Sequence, residues 1–181
     1  MKVTISQPQT EDQTEIHALF STVITQTFKD QGIYDEYKQD IPYEVKQQTT
    51  ALQEALNKTP ATHFLIAKDG SKIVGTIAYG KPNEEIRHFY KHSQESIPEI
   101  KSVYILPTYQ GKGIGTMLFN EVMSILRQNN YTEFYLDSGY PRAQQFWKKE
   151  LGEPVVRIVD RWGAGNDYLI WHGNINTLQV S

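Results

Sequence analysis

The spacing of apolar residues along the chain predicts helices and strands in alternation. Apolar residues recur every three or four positions between about 11 and 30, which predicts an amphipathic helix. A second helix is expected behind Asp40 and Pro42, because an N-cap residue followed by a first-turn proline favours a helix start. Near the N-terminus, Val3 and Ile5 alternate with polar residues, which is typical of a strand.

The rest of the chain is richer in strand patterns. Two β-branched, apolar runs on either side of Asp69-Gly70 predict a hairpin, and a loop with one helical turn is expected over 81–97. The expected elements after it are strand, helix, strand, short helix and two strands, over residues 100–106, 113–129, 131–136, 141–151, 155–159 and 168–171. The first three of these form a strand–helix–strand unit, which requires a parallel pair of strands.

Composition narrows the class of protein. The chain has 181 residues, of which 39% are hydrophobic, so we expect one domain over 1–181. Its net charge is -3, so the chain does not have the excess of Lys and Arg that nucleic-acid binding needs. Apolar runs are far shorter than the roughly 20 residues of a membrane span, and the N-terminus lacks a signal-peptide pattern. We therefore expect a cytoplasmic protein that binds neither nucleic acid nor membrane. The absence of cysteine excludes a cysteine nucleophile.

A glycine-rich segment between a predicted strand and a predicted helix carries the most specific chemistry. Gly111, Gly113 and Gly115 would let consecutive backbone N–H groups converge on one ligand, and the helix N-terminus adds partial positive charge. Such a loop binds phosphate or pyrophosphate. A P-loop is excluded because Lys112 precedes the second glycine of the pattern, whereas the P-loop lysine follows it.

Two other interpretations of this segment remain open. A dinucleotide-binding fingerprint would place glycine where Thr116 stands, although Asp137 follows the next strand as a ribose-binding acid would. Too little chain follows Asp137 for the remaining units of such a domain. The other interpretation is a glycine-rich turn before a core helix, without any ligand.

The same segment resembles the acetyl-CoA loop of the GNAT superfamily of N-acetyltransferases. Residues Gln110-Gly111-Lys112-Gly113-Ile114-Gly115 match every specified position of the motif Gln/Arg-x-x-Gly-x-Gly/Ala. Ala143 to Gly152 resembles the family pattern A-x-x-F-Y-x-x-x-G, and the order of elements matches over nearly the whole chain. The resemblance implies an α/β fold of the α+β type. Its mixed central sheet would have about seven strands, splayed in the middle, with helices on both faces.

The resemblance also implies which residues bind acetyl-CoA as cosubstrate. The loop would hold the pyrophosphate, and the end of the preceding strand would lie beside the pantetheine arm, where one N–H group polarises the thioester carbonyl. The cofactor-binding residues so implied are Val103, Tyr104, Ile105, Gln110, Gly111, Lys112, Gly113, Ile114, Gly115 and Thr116.

Glu99 is the candidate general base. It stands 11 residues before Gln110, and in histone-type GNAT relatives a glutamate at that offset takes the proton from the amine. The alternative is an exposed acid at the end of a strand. Trp147 occupies the position where many relatives have a tyrosine that protonates the coenzyme A thiolate, and indole cannot act as that acid.

We therefore predict an N-acetyltransferase that moves acetyl directly to a primary amine, without a metal. The amine belongs either to a small molecule or to a protein or peptide. The sequence is compatible with a homodimer. A catalytically silent acyl-CoA-binding regulatory module and a nicotinamide oxidoreductase are the alternatives. His88 and His92 have helical metal-ligand spacing but no evident third ligand, and Trp162 could line an acceptor pocket.

Overall fold

The computed structural model describes residues 2–57, 60–90, 96–161 and 163–178. The strands are β1 (Val3–Ser6), β2 (Thr62–Asp69), β3 (Lys72–Gly80), β4 (Glu99–Ile105), β5 (Glu133–Ser138), β6 (Val156–Ile158) and β7 (Tyr168–Asn174). The α-helices are α1 (Gln13–Asp30), α2 (Tyr34–Tyr37), α3 (Ile41–Ala55), α4 (Glu84–Phe89), α5 (Ile114–Gln128) and α6 (Pro141–Leu151). Short 3₁₀ turns cover Thr10–Asp12, Lys38–Asp40 and Pro107–Tyr109.

The strands of the described chain form one open, mixed sheet in the order β1-β2-β3-β4-β5-β7-β6. β4 and β5 are parallel, and their short ladder places Glu99 opposite Tyr135 and Ile100 opposite Leu136. β1 is antiparallel to β2, and β7 is antiparallel to both β5 and β6. The predicted α/β class, the strand–helix–strand unit and the last two strands are thereby confirmed, and these last strands pair with each other.

The chain groups into two compact units. The first comprises Met1–Ala78 and Ser102–Val122, and the second comprises Tyr79–Lys101 and Met123–Ser181. A single domain over the whole chain remains a prediction.

The core of the first unit contains the apolar stripe expected between 11 and 30. Its members are all buried, and they are Ile16, Leu19, Phe20, Val23, Ile24 and Phe28. α3 contributes Val45 and Leu52 to the same core, and β2 contributes Phe64 and Ile66. Burial of these side chains holds both helices on this part of the sheet. α1 begins at Gln13, and the three residues before it form a 3₁₀ turn.

The core of the second unit lies around β5 and β7. Ile86 of α4 packs there with Tyr135, Tyr168 and Ile170. α4 is the single helical element expected within 81–97, and Asn83 caps it by accepting a hydrogen bond from the backbone N–H of Ile86 at 2.9 Å.

Candidate active site

β4 is distorted at Ser102, in the middle of the strand. Ser102 has a φ of +53°, a left-handed conformation that residues other than glycine rarely adopt. Its carbonyl accepts a hydrogen bond from the buried Thr76 hydroxyl at 2.8 Å, and its own hydroxyl donates to Gln48 Oε1 at 2.7 Å. These contacts hold the unfavourable backbone conformation in place, and such strain is common at functional sites.

Val103, Tyr104 and Ile105 follow this distortion directly, and all three are half-buried. The Tyr104 ring packs edge-on against Phe20, with 5.3 Å between ring centroids. The Ile105 carbonyl accepts a hydrogen bond from Gln110 Nε2 at 3.0 Å. The end of β4 and the start of the glycine loop are therefore linked within the first unit.

The glycine loop has room for a ligand beside its backbone. Gly111 and Gly113 have φ values of +73° and +80°, so glycine is the residue that fits them without strain. A Cβ atom at either position would meet no other atom within 4 Å. Gln110 Oε1 is buried and has no hydrogen-bond partner among the described residues. The loop therefore offers open space next to a backbone that turns sharply.

The last predicted cofactor-binding residues form the first turn of α5. The helix begins at Ile114, and its first N–H groups have no acceptor within the helix, so they favour an anionic ligand. The Ile114 side chain is buried, which leaves its backbone as the part that can face a ligand.

Two lysines lie close to the ring of Tyr109, which directly precedes the loop. Lys112 Nζ is 4.8 Å from the centroid of the Tyr109 ring, and Lys72 Nζ is 5.5 Å from it. The Tyr109 hydroxyl donates to Asp69 Oδ2 at 3.3 Å. Open space, glycine backbone, helix N-terminus and two cations together fit a phosphate or pyrophosphate group.

The candidate base Glu99 lies in the second unit and is only 2% exposed. Its Oε2 accepts hydrogen bonds from the backbone N–H of Asn83 at 2.6 Å and from Lys101 Nζ at 3.1 Å. Its Oε1 accepts from Asn83 Nδ2 at 3.2 Å. The alternative of an exposed acid at the end of a strand is therefore wrong.

A second carboxylate belongs to the same group of residues. Oδ2 of the half-buried Asp137 accepts hydrogen bonds from the side-chain amide of Asn83 and from the hydroxyl of Tyr168. We call Asn83, Glu99, Lys101, Asp137 and Tyr168 the carboxylate cluster. It holds two carboxylates and one lysine, so a proton or a cation is needed to balance its charge.

Burial shifts the proton affinities of the carboxylate cluster. Burial raises the pKa of Glu99 to about 7, against the opposing effect of Lys101 and with a further increase from Asp137. Burial also raises the pKa of Asp137 and of Tyr168, the latter with help from the adjacent Asp137 carboxylate. A carboxylate with a pKa near neutrality is suited to accept a proton from a substrate and to release it.

Glu99→Gln is expected to change the pH dependence of stability. Folding raises the pKa of Glu99 from 4.5 to about 7. Protonation of Glu99 therefore stabilises the folded state fully below pH 4.5, and this stabilisation is lost as the pH rises through 7. As the pH rises from 5 to 8, the unsubstituted protein should therefore lose up to about 3 kcal/mol of its free energy of unfolding relative to Glu99→Gln. Denaturant unfolding of both proteins at each pH measures this. A difference that stays constant with pH would contradict the raised pKa.

Comparison with known families identifies the fold. The sequence profile described as the acetyltransferase (GNAT) family matches residues 30–152, which include β4, the glycine loop and the carboxylate cluster up to Asp137. The chain belongs to the GNAT acetyltransferase family. No curated protein sequence matches it.

Solved structures of similar fold cover nearly the whole of this GNAT chain. A GNAT-family protein from Desulfovibrio desulfuricans gives a TM-score of 0.73 at 17% identity, over 96% of this chain and 99% of its own. The PaiA N-acetyltransferase from Thermoplasma acidophilum, solved with coenzyme A, gives 0.69 at 18% identity, over 96% and 99%. The ribosomal-protein-S18-alanine N-acetyltransferase from Escherichia coli gives 0.65 at 13% identity, over 96% and 94%. At these identities the similarity shows a shared fold.

Trp147 departs from the usual GNAT pattern and is buried at 3% exposure. Its ring packs edge-on against Phe146, with 4.7 Å between ring centroids. Trp171 is also buried, and its Nε1 donates to the Gly152 carbonyl at 2.9 Å. Both tryptophans therefore pack in the interior of the protein.

Three remaining expectations concern metals, acceptors and membranes. His92 and Trp162 lie outside the described residues. Within 2–57, 60–90, 96–161 and 163–178, no group of three or more His, Cys, Asp or Glu residues could hold a metal ion. The helices of that same part of the chain are too short or too polar to cross a bilayer.

Sequence reasoning singled out the loop and Glu99 as candidates but missed several residues in their surroundings. Asn83 could have been recognised as an N-cap, because it precedes two glutamates and an apolar residue. The sequence carries no signal for Ser102, Lys72 or Tyr168, because each acts through a partner distant in sequence.

Proposed function

We propose that this GNAT protein transfers the acetyl group of acetyl-CoA directly to a primary amine. The observation that carries the proposal is the glycine loop, which begins α5 with open space at Gly111 and Gly113 and with Lys112 and Lys72 nearby. Acetyl-CoA supplies an activated thioester and a pyrophosphate. The loop is suited to the pyrophosphate because it combines backbone donors, a helix N-terminus and cationic side chains.

The end of β4 is the proposed position of the thioester. The left-handed conformation of Ser102 interrupts the regular geometry of the strand at that residue. We take the backbone N–H groups of Val103, Tyr104 and Ile105, which follow it, as the candidates to bind the carbonyl oxygen. Such a donor stabilises the negative charge that develops when the amine attacks, an effect of about 3 kcal/mol in other enzymes.

Glu99 is the proposed base for the amine. An alkyl ammonium must lose one proton before its nitrogen can form the new bond to the carbonyl carbon, and the bond from that carbon to sulfur then breaks. The first proton passes to Glu99 directly or through a water molecule, and the sulfur leaves as a thiolate. The second proton, which the nitrogen loses once the new bond has formed, passes to the thiolate or to solvent. Since a thiol has a pKa near 8.5, the thiolate is a tolerable leaving group without an acid. This direct transfer needs no covalent intermediate on the protein.

The acceptor is an amine of a small molecule or of a protein or peptide. The Escherichia coli structure is named for an alanine of a ribosomal protein, so this fold serves a protein substrate in at least that case. A cytoplasmic location stays a prediction.

A coenzyme-release screen tests the proposal. We expect acetyl-CoA, but not NAD, to raise the melting temperature. Free coenzyme A should appear when the correct amine is supplied from a panel of polyamines, aminoglycosides, amino acids and peptides with free N-termini. Mass spectrometry should then find the acetyl group on nitrogen. Binding without release for any amine would favour the silent regulatory module, and stabilisation by NAD alone would favour an oxidoreductase.

Trp147→Tyr is expected to leave turnover unchanged or to raise it. A phenol at this position could protonate the leaving thiolate, whereas indole cannot. The measurement is turnover of the variant together with its acetyl-CoA affinity. Trp171→Tyr serves as the control for loss of a buried indole, since Trp171 also lies in the core of the second unit. A large loss of turnover in a stably folded Trp147→Tyr protein with normal affinity would show that the indole makes a specific contact.

A further inference from the structure

One asparagine connects the carboxylates of Glu99 and Asp137 to the start of a helix. The backbone N–H of Asn83 donates to Glu99 Oε2 at 2.6 Å. Its Nδ2 donates to Glu99 Oε1 at 3.2 Å and also to Asp137 Oδ2. Its Oδ1 accepts the backbone N–H of Ile86 at 2.9 Å, which caps α4. Every polar atom of the side chain is thus engaged.

These contacts fix which end of the amide faces the carboxylates. If the amide were rotated by half a turn, its oxygen would face two carboxylates and its NH₂ group would face the N–H of Ile86, so three hydrogen bonds would become repulsive contacts. The helix cap therefore holds Nδ2 on the side of Glu99 and Asp137. An amide nitrogen has two hydrogens, and here each carboxylate receives one.

We propose that Asn83 is a positioning residue, which the α4 cap orients so that Glu99 and Asp137 are held as one coupled pair. The role of this pair in catalysis rests on the proposed function, in which the pair prepares Glu99 to take the proton of the amine. The pair itself is a property of the folded chain that can be measured without any substrate.

The charged and titratable groups around the pair set the direction of each expected change. Lys101 of β4 contacts Glu99, and Tyr168 of β7 donates to Asp137. Glu85 of α4 raises the pKa of Asp137 and is itself paired with Arg161 at 2.5 Å. Donors to an ionised carboxylate lower its pKa, and a neighbouring carboxylate raises it.

Two substitutions should therefore move the titration of Glu99 in opposite directions. Asn83→Ser keeps an oxygen that can cap α4 but removes both amide donors, so the titration midpoint of Glu99 should rise by about one pH unit. Asp137→Asn keeps the shape and removes the like charge, so the midpoint should fall by about one unit. Carbon-13 NMR of the side-chain carboxyl groups in the full chain measures both midpoints, and Glu99→Gln assigns the signal.

Matched variants separate positioning from loss of the helix cap. Asn83→Ala loses the cap and the donors together, whereas Asn83→Asp keeps the capping oxygen and adds a third carboxylate, which should raise the midpoint further than Asn83→Ser does. If Asn83→Ser does not fold, Asp137→Asn still tests the coupling. A Glu99 midpoint that is unchanged in Asp137→Asn overturns the proposal, as does one unchanged in folded Asn83→Ser.

The pH dependence of kcat/KM separates this inference from the proposed function. The acid limb of the kcat/KM profile should move with the NMR midpoint of Glu99 in both Asn83→Ser and Asp137→Asn, since the free enzyme's base governs that limb. If the NMR midpoints move as expected, the coupled pair is supported. If the acid limb then stays in place, the role of Glu99 as base in the proposed function is wrong while the pair stands.

Discussion

Gly113→Val is expected to weaken acetyl-CoA binding by at least about 100-fold. The side chain would occupy the open space beside the loop, where the pyrophosphate is proposed to lie. Losing two charge-assisted hydrogen bonds to backbone N–H groups costs about 3 kcal/mol, which corresponds to roughly this factor. Isothermal titration calorimetry with acetyl-CoA measures the affinity directly and needs no knowledge of the acceptor.

The control for this variant must carry the same backbone strain. Gly113 has a φ of +80°, so valine there is strained whatever the space around it. Gly70 has a φ of +63° in the β2–β3 turn, and a Cβ atom there would also meet nothing within 4 Å. Gly70→Val should therefore lose comparable stability and keep its affinity for acetyl-CoA. Normal affinity in folded Gly113→Val would mean that the loop does not hold the pyrophosphate.

The parts of the fold that were predictable are those that depend on local sequence patterns. The stripe of α1 follows from helical spacing, and the parallel arrangement of β4 and β5 follows from a strand–helix–strand unit. The glycine loop was equally accessible, because the sharp turn and the helix start both depend on neighbouring residues.

The carboxylate cluster was not predictable because its parts come from separate elements. The sequence places Glu99 at the start of a strand, but local pattern does not distinguish an exposed from a buried strand end. Its neighbours Asp137 and Tyr168 come from β5 and β7, and the strand order that brings these strands together is a property of the whole sheet. The distortion at Ser102 depends likewise on Thr76 and Gln48, two distant partners.

Glu99→Gln is expected to lower turnover by roughly 10²–10⁴-fold at neutral pH, the usual effect of losing a general base. Glutamine keeps the size of the side chain but cannot accept the proton of the ammonium. Glu99 has a raised pKa of about 7, so activity of the unsubstituted protein should increase with pH through that value, as the base ionises. Acetyl-CoA affinity should barely change, because the binding residues proposed above do not include Glu99.

The dependence of this defect on pH distinguishes a lost base from a damaged structure. At high pH a larger fraction of the amine is already neutral, so the difference between Glu99→Gln and the unsubstituted protein should shrink. Glu133 begins β5 as Glu99 begins β4 and has no part in the carboxylate cluster, so Glu133→Gln is the matched control and should retain turnover. A defect in Glu99→Gln that is the same at every pH would indicate altered packing. Near-normal turnover throughout would mean that the amine loses its proton to solvent, and that Glu99 serves the fold alone.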